Sequence, residues 1–114
     1  AVTFDFCGGG MQSESDGSIR EMTVSTEAED LKAVMRHVAT CFYVRSDALY
    51  LMGESQGGLV SAMVAAEQAE AVKGLILWYP AFVIPDDSAR REKRGDNTVF
   101  GITLSPDYNK TRFV

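Results

Sequence analysis

Gly53, Glu54, Ser55, Gln56 and Gly57 spell GxSxG, the spacing at which a serine hydroxyl is set on a sharp turn between a strand and a helix and offered as a nucleophile. Each position has a physical task in that arrangement. The turn forces Ser55 into a backbone conformation that ordinary residues avoid, and glycines at 53 and 57 carry no Cβ to collide with the strand and helix passing beside it. The helix that follows brings the positive end of its dipole to the hydroxyl, and the backbone N–H of Gln56 is placed to donate to a developing oxyanion. The chemistry this predicts is acyl transfer, with Ser55 as nucleophile and Gln56 as oxyanion donor. The alternative is a glycine-rich turn carrying an ordinary capping serine.

A serine of this kind needs a base. The single histidine, His37, lies on the Asp30 side of its helix, away from the stripe of Leu31, Met35 and Val38, and is expected to face solvent. Asp86 and Asp87 follow the third strand closely, but an acid without a histidine does not activate serine; a solvated position is expected for both. Asp5, at a strand end, and Glu54, beside the serine, read as structural. Cys7 and Cys41 are too few for a disulfide scaffold and stand neither in CxxC spacing nor near His37, so both are expected to be reduced packing residues. No metal site and no cofactor is expected.

The elements that must position Ser55 follow from periodicity. Val2 to Phe6 is a short β-rich run stopped by Gly8, Gly9 and Gly10, which predicts a strand entering a polar glycine loop that lasts to about Glu21. From Val24 the apolar positions Ala28, Leu31, Met35 and Val38 recur at helical spacing, and Thr26 and Glu29 stand at capping-box distance, so a helix of about four turns is expected. Ala48 to Met52 reads as a second strand running straight into the GxSxG turn. The helix after it, about Gln56 to Glu67, is apolar nearly all round, as a buried helix is. Gly74 to Tyr79 is a continuous apolar run, the pattern of a parallel strand covered on both faces. This order predicts a three-layer α/β/α arrangement on a parallel sheet. After Pro85, eight charges of both signs fall between Asp86 and Asp96, which reads as a solvated helix or linker, and residues 97–114 have no clear period. The organisation expected is a partial core over residues 1–85, then a charged linker or the start of a cap over 86–114.

Composition narrows the partners. With 114 residues, 46% apolar and 24% charged, the chain has enough material for one core. A formal net charge of -5 removes the electrostatic footprint that nucleic acid or an anionic membrane would require. No apolar run reaches the roughly 18 residues of a membrane-spanning helix. With no signal-peptide pattern in the first residues, a cytoplasmic location is expected.

Phe4-Asp5-Phe6 with Gly8 and Gly10, Met22-Thr23-Val24, Glu29-Asp30-Leu31, Leu51 through Gly58, Val72-Lys73-Gly74-Leu75 and Tyr79-Pro80-Ala81 together resemble the middle of an α/β-hydrolase. The nearest branch is the bacterial serine esterases of the cinnamoyl or feruloyl type, and the likeness covers about residues 1 to 90. The resemblance implies that Ser55 is the nucleophile and Gln56 one oxyanion donor, and it places Trp78, Tyr79, Ala81 and Phe82 near a cap and the substrate pocket, with Tyr79 and Phe82 as substrate contacts. In that family a second oxyanion donor comes from a His-Gly loop before the strand that here spans residues 2–6, and the acid and histidine follow the cap; none of the three has a counterpart here. A central fragment of a hydrolase is therefore expected, near-inactive as an isolated chain. The strand lying between residues 2–6 and 48–52 is expected outside it, so those two would not pair directly. The expected partners are a small-molecule ester and the remainder of the hydrolase, or a second chain, completing the sheet. A lyase, thioesterase, amidase or peptidase would share the same turn, and a non-catalytic interaction module is the alternative from a different class.

Overall fold

The computed structural model describes residues 1–10, 12–99 and 101–103. Its elements run α1 (Val24–Ala39), β1 (Leu49–Glu54), α2 (Ser55–Glu67), β2 (Val72–Trp78), α3 (Ile84–Arg94), β3 (Thr98–Val99) and β4 (Ile102–Thr103). By its contacts the chain divides into two compact units, one of Ala28–Phe82 and one of Ala1–Glu27 with Val83–Val114.

α1 buries Val24, Ala28, Leu31 and Met35, one turn apart along a single face. It begins at Val24, where the helical spacing places it, but its capping pair differs from the sequence expectation. The capping box forms three residues earlier: Thr26 N–H donates to Thr23 Oγ1 at 3.1 Å and Thr23 N–H donates to Thr26 Oγ1 at 2.9 Å. Beginning the helix at Val24 brings that side chain, 1% exposed, into the buried stripe, which a cap at Thr26 would have left out. The reciprocal bonds satisfy two backbone donors that have no partner within the helix. Thr23→Ala is accordingly expected to lower stability by about 1 kcal/mol, read as the urea unfolding midpoint, whereas Thr26→Glu, which preserves a box partner, should lose less. An equal or larger loss from Thr26→Glu would assign the cap differently.

The parallel sheet lies in the unit Ala28–Phe82. β1 and β2 pair from Leu49↔Val72 to Glu54↔Trp78, so their C-terminal ends lie side by side. β1 alternates: Leu51 and Gly53 are buried, while Tyr50, Met52 and Glu54 are exposed. α2 packs on both strands and buries Gly58, Leu59, Val60, Ser61 and Val64, leaving its remaining residues half-buried or exposed. The Tyr50 ring lies over Gly74, its cross-strand partner, covering backbone that has no side chain of its own. Contrary to the expectation of a strand covered on both faces, β2 is an edge strand with Leu75, Ile76, Leu77 and Trp78 all exposed. The sheet has two strands among the described residues, and a parallel strand is enclosed only when helices cover both faces and strands flank both edges.

Residues 2–6 do not form the expected strand. Phe4 and Phe6 stand edge to face with ring centroids 4.9 Å apart, but residues 2–6 enter no ladder. β-propensity describes a residue's fit to a pleated surface; a strand also needs a partner for its N–H and C=O groups. The loop beyond is closed by its own polar groups. Gly8 N–H donates to Asp16 O at 2.9 Å, and Asp5 accepts from Glu14 N–H at 3.1 Å, a structural role for this carboxylate. Cys7 is exposed and Cys41 half-buried, so neither is the packing residue expected, and Cys41 does stand near His37, its Sγ donating to His37 O at 3.7 Å one helical turn back.

The charged stretch after Pro85 is a helix. Asp86 and Asp87 stand in the first turn of α3 and Arg91, Lys93 and Arg94 in its last, the charge order that opposes the helix dipole. Gly95 closes it at φ +66°, its N–H donating to Arg91 O and Glu92 O. β3 and β4 then pair antiparallel, a hairpin too short to leave a period in the sequence. Pro106 and the rest of the segment from 104 to 114 lie outside the described residues. Among the described residues no helix is long and apolar enough to cross a membrane, and no group of three or more His, Cys, Asp or Glu is placed to hold a metal ion.

Candidate active site

Ser55 sits where β1 ends and α2 begins, with φ +49° between an extended Glu54 (φ -119°, ψ 149°) and the helix proper. A left-handed serine costs about 1–2 kcal/mol, so the surrounding structure must hold it there. It is exposed. It does not cap α2: the N-cap position belongs to Glu54, with no side-chain cap bond.

The steric reason for the turn is sharper than the motif suggests. A Cβ on Gly53 would collide with the Gly57 carbonyl oxygen, with Gly57 C at 2.7 Å and with Ser61 Oγ at 2.6 Å, so strand and helix pass there at backbone distance. A Cβ on Gly57 would meet nothing within 4 Å, which corrects the role the sequence gave that glycine. The second crowded glycine is Gly58, where a Cβ would stand 2.8 Å from Pro80 Cβ and 2.9 Å from Pro80 Cα.

Pro80 belongs to a segment that closes back on the turn. Tyr79, directly after β2, also has positive φ, +37°, and its hydroxyl donates to Glu54 Oε2 at 3.0 Å. Ala81 N–H donates to Ser55 O at 2.8 Å. The hydrogen bond from Tyr79 to the Glu54 carboxylate holds the phenol above its usual pKa, because ionising it would place two negative charges together; slight desolvation acts in the same direction. Residues 79–81 therefore meet three positions of the turn, 54, 55 and 58. Sequence reasoning missed Gly58 and Pro80 as parts of the site, read Glu54 as structural, and placed Ala81 near the pocket without its bond to Ser55 O. The glycine pair at 57 and 58 and the Tyr-Pro step after an apolar run were the signals present.

The predicted site residues divide accordingly. Gln56 is in the first turn of α2, half-buried, its backbone next to the serine. Tyr79 is 63% exposed and Trp78 60%, both at the C-terminal end of β2; Phe82, 52% exposed, ends the segment attached to Ser55 O. His37 is exposed and sits roughly 200° around the helix from Met35, as the wheel predicts. Asp86 and Asp87 head α3, where Asp87 stands 3.7 Å from Arg90.

A parallel pair crossing through a helix, with a left-handed serine at the strand-to-helix junction, is the arrangement of the α/β-hydrolase fold. Residues 1–104 match the family described as serine aminopeptidase S33, and the chain belongs to that family of α/β-hydrolases. It is similar to a solved structure titled "Ferulic Acid bound to Est1E from Butyrivibrio proteoclasticus", with 27% sequence identity and a TM-score of 0.69 over 90% of this chain. The chain spans 37% of the length of that protein. It has no match among curated proteins.

Proposed function

We propose that this chain carries the nucleophile of a carboxylic ester hydrolase. The observation behind the reading is the backbone of Ser55: φ +49° at the mouth of a parallel sheet, at a turn where Gly53 admits no side chain. Strain of this kind persists where the structure over-determines it, and it aims a hydroxyl away from both the strand and the helix. In the reaction, Ser55 Oγ bonds to the ester carbonyl carbon while its proton passes to a base. The carbonyl oxygen takes the negative charge, with the Gln56 N–H as one donor to it. Collapse breaks the bond to the alcohol, which leaves with the proton, and water then releases the acid by the same steps in reverse roles. The base in this reading is not His37, which points to solvent from α1.

Family membership alone leaves peptide and ester substrates equal. The ester is favoured by the likeness to a structure holding an aromatic acid and by the exposed aromatic surface of Trp78, Tyr79 and Phe82 at the strand end beside the serine. Tyr79 and Phe82 would line the acyl or alcohol side of the pocket. The test offers the full-length protein a p-nitrophenyl ester and an aminoacyl p-nitroanilide side by side, and maps covalent labelling by a fluorophosphonate. Ester turnover with the label on Ser55 is expected. Turnover of the anilide alone would transfer the reading to a peptidase, and absence of both turnover and label would leave a non-catalytic chain.

A further inference from the structure

Two residues in left-handed conformations end the neighbouring strands, Ser55 after β1 and Tyr79 after β2. A tyrosine gains nothing locally from φ +37°, since a strand ends equally well through a right-handed turn. What the conformation accomplishes is visible in its contacts: the phenol reaches back across the sheet to Glu54 Oε2, the residue before the serine, and the next two residues seat Pro80 on Gly58 and Ala81 N–H on Ser55 O. Glu54 holds the N-cap position of α2 and yet makes no cap bond with its side chain. Its carboxylate is committed to Tyr79 instead.

We propose that Glu54 and Tyr79 form a latch that positions the nucleophile, a role that rests on reading Ser55 as the attacking residue. The latch ties the strand end that carries Ser55 to the strand end that carries Pro80 and Ala81. With it closed, the carbonyl of Ser55 is fixed by Ala81 and the first turn of α2 is fixed by Pro80, so the serine has one backbone setting. With it open, the 79–81 segment is free to relieve the strain at Tyr79, and both restraints loosen together. Neither residue touches the reacting atoms in this role. The Tyr79 ring remains available as a pocket wall, and only its hydroxyl serves the latch.

The experiment compares Tyr79→Phe, Glu54→Ala, the double variant and Glu54→Gln in the full-length protein, through steady-state kinetics on a p-nitrophenyl ester, the rate of fluorophosphonate labelling at Ser55, and thermal melting by circular dichroism. Each single loss should lower kcat about tenfold with KM within about twofold, because misplacing a nucleophile costs rate without removing substrate contacts. The labelling rate should fall by the same factor. The double variant should be no worse than the poorer single, the mark of one shared interaction, whereas independent roles would multiply to about a hundredfold. Glu54→Gln retains an acceptor oxygen and should recover kcat to within about threefold of the original. The proposal is overturned if the single variants keep kcat and labelling within about twofold, if Tyr79→Phe raises KM alone, or if the double variant is multiplicative. Melting that falls with labelling unchanged also overturns it, in favour of a purely structural contact. If the unmodified protein is not labelled at Ser55, the nucleophile reading itself fails and the latch with it; normal labelling of wild type and variants alike defeats the latch alone.

Discussion

Ser55→Ala in the full-length protein is expected to lower kcat for an activated ester by about 10⁶, to the residual rate supplied by binding and oxyanion donors, while His37→Ala changes kcat by less than about twofold. The difference comes from where the two side chains stand. Ser55 is exposed at the mouth of the sheet, on a turn strained to φ +49°, and removing its hydroxyl takes away the atom that forms the acyl bond in the proposed reaction. His37 is exposed near the end of α1, on the side opposite Ala28, Leu31 and Met35, and the bonds at its position are made by its backbone carbonyl, which accepts from Thr40 Oγ1 at 2.7 Å. Its imidazole is not needed to hold α1. Neither substitution removes buried apolar surface, so melting temperatures should stay close to that of the unmodified protein and a loss of rate can be read as chemistry. Steady-state kinetics with both variants decide the matter. A loss from His37→Ala as large as that from Ser55→Ala, in a folded protein, would make this histidine the base and overturn its assignment to the surface.

The contrast between those two residues also marks what is legible in the sequence. Whatever is set by local pattern can be read: the buried stripe of α1, the strand-turn-helix around Ser55, and the solvent side of His37 all follow from period and turn chemistry within about a dozen residues. What depends on a partner elsewhere in the chain cannot. Val2, Phe4 and Phe6 have the composition of a strand, but composition does not supply the neighbour that makes one. Gly74 to Trp78 has the composition of an enclosed strand, while its exposure follows from the number of layers packed on it. The Tyr79–Glu54 bond spans 25 residues, and a positive φ at tyrosine is visible only once both strand ends are in place. The capping pair of α1 was set three residues late for a different reason. Thr23 and Thr26 both suit an N-cap, and burial of Val24 rather than the capping residues themselves decides between them.

The same distinction between pattern and packing leads to an ordered series at three glycines. Gly53→Ala is expected to cost about 3 kcal/mol or more, because the new methyl meets the carbonyl group of Gly57, which is helix backbone and cannot swing aside as a side chain would. Gly58→Ala should cost about 1–3 kcal/mol: its methyl meets Pro80 at 2.8 Å, and relief requires moving a segment that is itself tied to Ser55 O by the 2.8 Å bond from Ala81. Gly57→Ala should be neutral or stabilising by up to about 1 kcal/mol, since its methyl enters open space, its φ is not left-handed, and alanine is the better residue inside a helix. Urea unfolding of the three variants, followed by circular dichroism, gives the order directly. The motif names 53 and 57 as its glycines, whereas the packing names 53 and 58, so the ranking separates the two accounts. A Gly57→Ala variant as unstable as Gly53→Ala would show that the helix lies closer to its surroundings at residue 57 than the open space found there allows. With the expected order, rate measurements on Gly58→Ala gain a further use. That substitution displaces Pro80 while leaving both Glu54 and the Tyr79 hydroxyl chemically intact, so a fall in Ser55 labelling there would mean that the turn depends on the whole 79–81 segment and not on the carboxylate–phenol bond alone.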